Sequence, residues 1–525
     1  MRRETDMNNN HNEETEPLIL HHQEQELLDK EQLEKEENSY THVLKYAGVF
    51  GGVQGLNILI GLVRNKLVAL LLGPGGMGLM SLLTTALNFI SNSTSFGISF
   101  SAVKNISELF DQGSLRHTRH FVGVVRSWCL LAALLGMVVC VSLGPILSDY
   151  TFAWGDHTLH FMLLAPAVGM LAVTGGEMAI LKGMRRLKSL AVIQLFCVIV
   201  MLLISVPVFY FFGESGIVPV IVAGAFVSMA AACHFTFRIF PYSIRHLWSH
   251  LSEGYPMVRL GIAFILAGVL GSGAEMLVRS YLNLQGELST VGFYSSAYML
   301  IITYTGMVFS AMETDYFPRL SAANSDQHLF CQAANRQAEV ALLMVSPMLV
   351  GLIVALPLLI PMLYSHEFMP IVSMAQIATF AMYAKALSLP ISYMPLAKGK
   401  SQHFMAMESL YDLMLVAGVV IGYHYGGLVG TGVALAAIHW IELGALIIFA
   451  HAKYGLQLSS PIIKYMSLQL PIGILAWASA QLFSGWLYWC ASILFVSLSA
   501  IVSLYILHQK TSLWNALMER IHRRR

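Results

Sequence analysis

The feature that most constrains this chain is a train of long apolar runs, each roughly 20 residues or more, spread from about residue 44 to residue 508. A helix of about 20 apolar residues crosses the ~30 Å hydrocarbon layer of a bilayer. Inside that layer every backbone N–H and C=O must be paired within the element, which leaves helices or closed barrels. A barrel needs short segments that alternate apolar and polar, and these runs are continuous. The expected fold class is therefore an all-α polytopic membrane protein. Composition agrees: charged residues make up 12% of the chain, against about 25% in soluble domains.

Fourteen candidate spans are expected, at 44–72, 77–103, 121–147, 158–182, 189–212, 216–239, 257–283, 288–312, 338–364, 370–396, 404–424, 427–452, 462–484 and 487–508. Cytoplasmic loops of membrane proteins carry an excess of Lys and Arg. With the N terminus placed inside, the inner connections hold Lys104, Arg116 and Arg119, then Lys182, Arg185, Arg186 and Lys188, and so on to Arg523, Arg524 and Arg525. The outer connections hold no Lys or Arg, and the alternation never inverts. Both termini are expected in the cytoplasm. The cations that fall inside spans are Arg64, Lys66, Arg279 and Lys385. Arg126 lies near an inner end, where a long side chain snorkels.

Residues 1–42 form an acidic, polar segment without the apolar core of a cleavable signal, and are expected to be a cytoplasmic tail. The six cysteines form no CxxC pair; they are expected to pack as small apolar side chains, and no metal site is expected. No G-x-x-x-x-G-K-[ST] phosphate loop occurs, so direct use of ATP is unsupported. No cofactor and no nucleic-acid partner is expected.

The chain also repeats itself. "LVRN" at 62–65 meets "LVRS" at 277–280, Gly78 meets Gly292, and Lys182 and Gly183 in "ILKGMRR" meet Lys398 and Gly399 in "PLAKGKS". Several matches in order at nearly one spacing indicate internal duplication. Each repeat holds six spans, an even number, so the halves share one orientation. Parallel repeats of this kind place a transporter's substrate site between the halves. The expected organisation is an acidic tail (1–42), an N lobe (43–245), a C lobe (246–455), and two further helices with a basic tail (456–525).

The opening "LVRNKLVALLLGPGGMGLMSLL", followed by a polar second helix, resembles the start of Wzx-type polysaccharide (O-antigen) flippases, members of the multidrug/oligosaccharidyl-lipid/polysaccharide exporter superfamily. The resemblance implies two six-helix lobes around a V-shaped cavity. It implies a bacterial inner-membrane flippase, not an enzyme, that moves an undecaprenyl-pyrophosphate-linked oligosaccharide outward. Its implied partners are the lipid-linked oligosaccharide, membrane lipids, and polysaccharide polymerase and assembly proteins.

Arg64 and Arg279 occupy matching repeat positions, so both are expected at the central space. A charge in hydrocarbon costs at least about 2.5 kcal/mol and usually faces a cavity or a bundle interior. Guanidinium suits a pyrophosphate through bidentate contacts. The alternative is that both arginines only tie helices together, and Glu275, one turn before Arg279, could serve in such a pair. Lys66 is a weaker candidate, because Tyr281 stands at its matching position. Polar stripes run along the first span (Asn57, Gly61, Arg64) and the second (Thr84, Asn88, Asn92), on steps of three and four residues. They could contact a glycan or hold helices together. Tyr294, Tyr298 and Tyr304 could stack on sugars or pack the core. Glu275 and Glu177 are candidates for ion coupling, with Glu408, Asp412 and Glu442 behind them. Gly73 to Gly76 are expected to form a tight outer turn.

A multidrug or cation antiporter of the same superfamily favours an acidic cavity, whereas the matched intramembrane residues here are cationic. A lipid II flippase is a close relative in layout. A membrane glycosyltransferase or polymerase commonly builds on large external loops, which this chain lacks.

Overall fold

The structure, a computed structural model, describes residues 16–152, 155–241 and 249–510, with side chains from residue 55 onward except at scattered positions, most of them within 260–267 and 303–315. The helices in chain order are α1 (Glu16–Thr94), α2 (Ile98–Asp111), α3 (Leu115–Thr151), α4 (Thr158–Gly183), α5 (Leu187–Phe212), α6 (Ile217–Phe237), α7 (Ser249–Glu253), α8 (Tyr255–Gln285) and α9 (Leu288–Tyr298). A five-residue π-helical stretch, Met299–Thr303, joins α9 to α10 (Tyr304–Ala322). Then follow α11 (Gln327–Leu363), α12 (Ile371–Ala378), α13 (Phe380–Ser392), α14 (Met394–Ala397), α15 (Ser401–Tyr454), α16 (Ser460–Leu482) and α17 (Gly485–Lys510). No strand occurs among the described residues.

Among the described residues nine helical stretches are long and apolar enough to cross a membrane. Three of them, Gly55–Thr94, Lys188–Phe237 and Ser401–Tyr454, each cover most of two of the expected spans. The chain is a multi-pass membrane protein. Within each of the three, one glycine leaves helical geometry with a positive φ: Gly73 (64°), Gly213 (53°) and Gly427 (54°). Only glycine takes that backbone region at little cost, so each marks where the apolar path doubles back.

The Gly73 turn is tighter than the sequence implied. Gly73 alone is non-helical within α1, and Pro74 already belongs to the next helical segment. Proline fits that first position because the N–H it lacks would be unpaired there anyway. Gly75, Gly76 and Gly78 are helical. Gly78 serves packing: an added Cβ would strike the Leu288 carbonyl oxygen and lie 3.0 Å from the Gly292 nitrogen. Gly292 is held reciprocally, against the Pro74 carbonyl and 3.1 Å from the Gly78 nitrogen. Small residues let membrane helices approach to backbone contact, where dispersion rather than water exclusion drives association.

Helices α3, α4 and α6 pack together, with α1 against α5, and form the first half; α11, α12, α13 and α15 pack together in the second, and α16 and α17 lean on α11. The halves meet where α1 crosses α9 and α8, and where α2 crosses α8. In the second crossing, a Cβ on Gly97 or on Gly261 would strike the backbone of the other segment. The expected lobe boundary at 245/246 lies outside the described residues, as do residues 1–15 of the acidic tail and 511–525 of the basic tail.

Arg126 does not snorkel. It is 7% exposed, and its Nε and one Nη donate to the Glu177 carboxylate at 2.8 and 3.2 Å. Its other Nη donates to the Phe240 carbonyl at 2.9 Å, and the guanidinium lies 4.6 Å from the Phe237 ring centre. A buried charge is tolerated when its partners satisfy it in this way.

Candidate functional site

A cavity of about 550 Å³ opens between the two segments of α1, α5, α6, α8, α9 and the π-helical stretch. Arg64 and Arg279 both line it, from opposite halves of the molecule. The matched arginines thus meet at one space, although their settings differ. Arg64 is partly buried and makes one hydrogen bond among the described residues, from its Nε to the Ser205 hydroxyl at 3.3 Å.

Arg279 is held on several sides. Its Nε donates to the Ser81 and Ser295 hydroxyls at 3.0 and 3.2 Å. One Nη donates to the Glu275 carbonyl at 3.1 Å and to its carboxylate at 3.2 Å. The Tyr294 and Tyr298 rings lie 5.9 and 5.7 Å from the guanidinium carbon. The Arg279 side chain is only 10% exposed, whereas the Glu275 side chain is 42% exposed and also lines the cavity.

Asn88, from the second polar stripe, is exposed along the same cavity, and Thr84, half-buried one turn before it, also lines it. The remaining expected residues are placed elsewhere. Lys66 is turned aside, and its Nζ donates to the Pro361 carbonyl at 2.6 Å. Pro361 lies in the last turn of α11, whose terminal carbonyls have no helical donor and attract a cation. Asn57 does not line the cavity, and its Oδ1 is buried without a hydrogen-bond partner among the described residues. Asn92 is exposed one turn beyond Asn88, outside the cavity lining. Glu177 is committed to Arg126, apart from the cavity. Tyr294 is 1% exposed and packs as core. Tyr298 reaches the cavity, whereas the side chain of Tyr304 lies outside the described ones.

Several lining residues carried weak signals or none. Ser81 and Ser295 sit three residues after Gly78 and Gly292, so extending that match by one turn finds them. Met77, Met80, Met201 and Met299 supply a soft wall that had no sequence signal; unbranched thioethers adapt to irregular partners. Asn65 donates to the Met299 sulfur at 3.6 Å. That contact reaches the start of the π-helical stretch, a distortion that often occurs at functional sites.

A second polar group lies within the C lobe, outside this cavity. His439 (1% exposed) places Nδ1 2.9 Å from the Leu435 carbonyl and Nε2 3.5 Å from the Tyr411 hydroxyl. Lys385 sits 5.7 Å from the Tyr411 ring centre. One carboxylate oxygen of Glu442 is buried without a hydrogen-bond partner among the described residues.

The family of polysaccharide biosynthesis proteins matches residues 67–373. The chain belongs to this family. It is thereby a Wzx-like member of a polysaccharide biosynthesis family. Among curated proteins no relative matches it. Among solved structures, the lipid II flippase MurJ in an inward closed conformation is similar at 14% identity, with a TM-score of 0.69, covering 88% of this chain and 99% of that one. An inward-facing multidrug resistance transporter of the MATE family is similar at 14% identity and a TM-score of 0.63, covering 76% of this chain and 94% of that one. A third, from Pyrococcus furiosus, has a TM-score of 0.54 at 14% identity, covering 78% and 93%. At such identity these likenesses establish the fold: this Wzx-like chain has the architecture of that transporter superfamily.

Proposed function

We propose that this protein moves an undecaprenyl-pyrophosphate-linked oligosaccharide, an O-antigen or similar surface-polysaccharide repeat unit, across the bacterial cytoplasmic membrane by alternating access. The observation that carries the reading is the convergence of Arg64 and Arg279, from equivalent positions of the two repeats, on one cavity. A pyrophosphate brings two negative charges, and guanidinium forks bind such oxygens bidentately. Arg64 makes one hydrogen bond among the described residues, from Nε, which leaves its Nη donors to a ligand. Asn88 and Thr84 offer hydrogen bonds to sugar hydroxyls, and the prenyl chain stays in the bilayer.

Both termini lie in the cytoplasm on this reading, so the Gly73 end faces outward. Lys66, Asn57 and Asn92 then act at the edge of the path or hold helices. Ion coupling falls to Glu275, which neutralises Arg279 in the empty cavity and releases it when phosphate arrives. Glu177, locked to Arg126, is the poorer coupling candidate. A cationic drug would meet two arginines here, which disfavours the multidrug reading.

Depletion of the protein in its host tests this reading. The expected result is a lipid-linked glycan accumulating in the inner leaflet, with loss of surface polysaccharide, and its sugar content separates an O-antigen unit from lipid II. No accumulation and normal surface polysaccharide would sink the flippase reading. Coupling through Glu275 fails if Glu275→Gln leaves export and its ion dependence unchanged.

A further inference from the structure

A second pocket, of about 900 Å³, opens far from the arginine cavity, between the end of α10, the start of α11 and the 455–459 linker. The other end of α11 carries Pro361, which receives Lys66 from beside the Gly73 turn. The pocket therefore lies at the opposite end of the bundle, where the sequence places the cytoplasm. Helix α11 has 37 residues, roughly 55 Å at 1.5 Å per residue, longer than the ~30 Å hydrocarbon layer. Its polar start, "QHLFCQAANRQAE", precedes the apolar run from Val340. The pocket thus sits at the boundary between headgroups and water.

Two adjacent stripes of α11 divide the work. Cys331, Asn335 and Glu339 fasten the linker. Cys331 Sγ donates to the Tyr454 carbonyl at 3.4 Å, and Asn335 Nδ2 donates to the Gln457 carbonyl at 2.9 Å. The Ser459 backbone N–H donates to Asn335 Oδ1 at 3.1 Å, and the Ser459 hydroxyl donates to Glu339 at 2.7 Å. His328, Gln332 and Arg336 follow four-residue steps along the neighbouring stripe, so they point the same way. All three line the pocket, and Arg336 has no ion-pair partner among the described residues. Arg319 faces them from α10, held by the Gln337 amide oxygen at 3.3 Å. The one acid in the lining, Glu339, is 8% exposed and already accepts from Ser459.

We infer that this pocket binds a phosphate group carried on a hydroxyl-bearing headgroup, with Arg336 and Arg319 on the phosphate and Gln332 and His328 on its surroundings. Two guanidinium groups lining one pocket whose linker wall is fastened suit a phosphate, and basic pockets at the ends of membrane helices take anionic lipid headgroups. The same chemistry is offered by a soluble phosphorylated metabolite, so the test must separate the two. The site is distinct from the Arg64–Arg279 cavity and does not depend on its role.

The experiment uses the full chain in nanodiscs of zwitterionic lipid, titrated separately with short-chain phosphatidylglycerol and with glycerol 3-phosphate. Binding of phosphatidylglycerol alone, weakened at least tenfold by Arg336→Gln and by Arg319→Gln, supports a lipid site. Binding of both probes with the same sensitivity supports a site for the phosphate itself, open to soluble ligands. Arg64→Gln is expected to leave either affinity unchanged. Gln332 is exposed and its side chain has no hydrogen bond among the described residues, so Gln332→Glu adds a repelling charge and should weaken binding while thermal unfolding stays as in the parent. Absence of binding to either probe, or affinities indifferent to Arg336→Gln and Gln332→Glu, would overturn the inference.

Discussion

Ser81 and Ser295 stand 214 residues apart and share a hydrogen bond, with 2.7 Å between their hydroxyl oxygens. They are equivalent residues of the two repeats, as are Gly78 and Gly292, which touch through their backbones one turn away. Equivalent residues in mutual contact define where the twofold pseudo-axis passes. Arg279 donates to both serines, so one of the two matched arginines is anchored on the axis and the other is not. The site is asymmetric although the scaffold is duplicated.

That contact should be breakable if the halves rock apart at the Gly73 end. In a Ser81→Cys/Ser295→Cys variant with the native cysteines replaced, oxidation is expected to form a cross-link, because the two hydroxyls already touch. The oxidised protein should lose export and regain it on reduction, while each single variant exports in both conditions. Full export by a completely cross-linked protein would mean that this contact never opens.

Gly78→Ala and Gly292→Ala test the packing beneath it. Each added methyl meets a backbone carbonyl, which cannot rotate away as a side chain does, and overpacking of this kind costs about 1–3 kcal/mol. Thermal unfolding of either variant in nanodiscs should fall by several degrees. Gly268→Ala, whose Cβ meets nothing within 4 Å, is the matched control and should unfold like the parent.

The sequence was most legible where the bilayer imposes the rule. Apolar length located the helices, since hydrocarbon forces every span to pair its own backbone. The repeat brings Arg64 and Arg279 to one space, because duplication carries geometry with it. Side-chain direction was less legible. Lys66 and Arg64 are two residues apart on one helix, yet only a neighbour distant in sequence, Pro361, explains why Lys66 turns to α11. Arg126 read as a snorkelling cation because Glu177, on the next helix, could not be assigned to it without the α3–α4 packing. The methionine wall left no pattern at all, since methionine serves equally in cores and cavities.

The Arg126–Glu177 pair separates a structural carboxylate from a coupling one. Removing one partner of a buried pair strands the other charge and costs about 3–5 kcal/mol, whereas replacing both with apolar residues of similar size is often neutral. Glu177→Leu and Arg126→Met should each lower thermal stability sharply, and the double variant should recover much of the loss. A stable Glu177→Gln variant that exports but has lost ion dependence would instead return Glu177 to the coupling role.

The two arginines should differ in their tolerance of lysine. Arg279 uses two arms of its fork within the protein, with Nε toward Ser81 and Ser295 and one Nη toward Glu275. A lysine ammonium is a point charge and cannot reproduce those directions. Arg279→Lys should therefore reduce export nearly as far as Arg279→Gln. Among the described residues Arg64 makes a single hydrogen bond, from Nε to Ser205, so a lysine there breaks no internal network and keeps the charge that meets an anionic substrate, losing only the bidentate geometry. Arg64→Lys should keep a substantial part of export, and Arg64→Gln should lose most of it. The readout is surface polysaccharide per cell at matched protein levels. Equal tolerance of lysine at both positions would show that the pinning of Arg279 by the serines and Glu275 does not matter to transport.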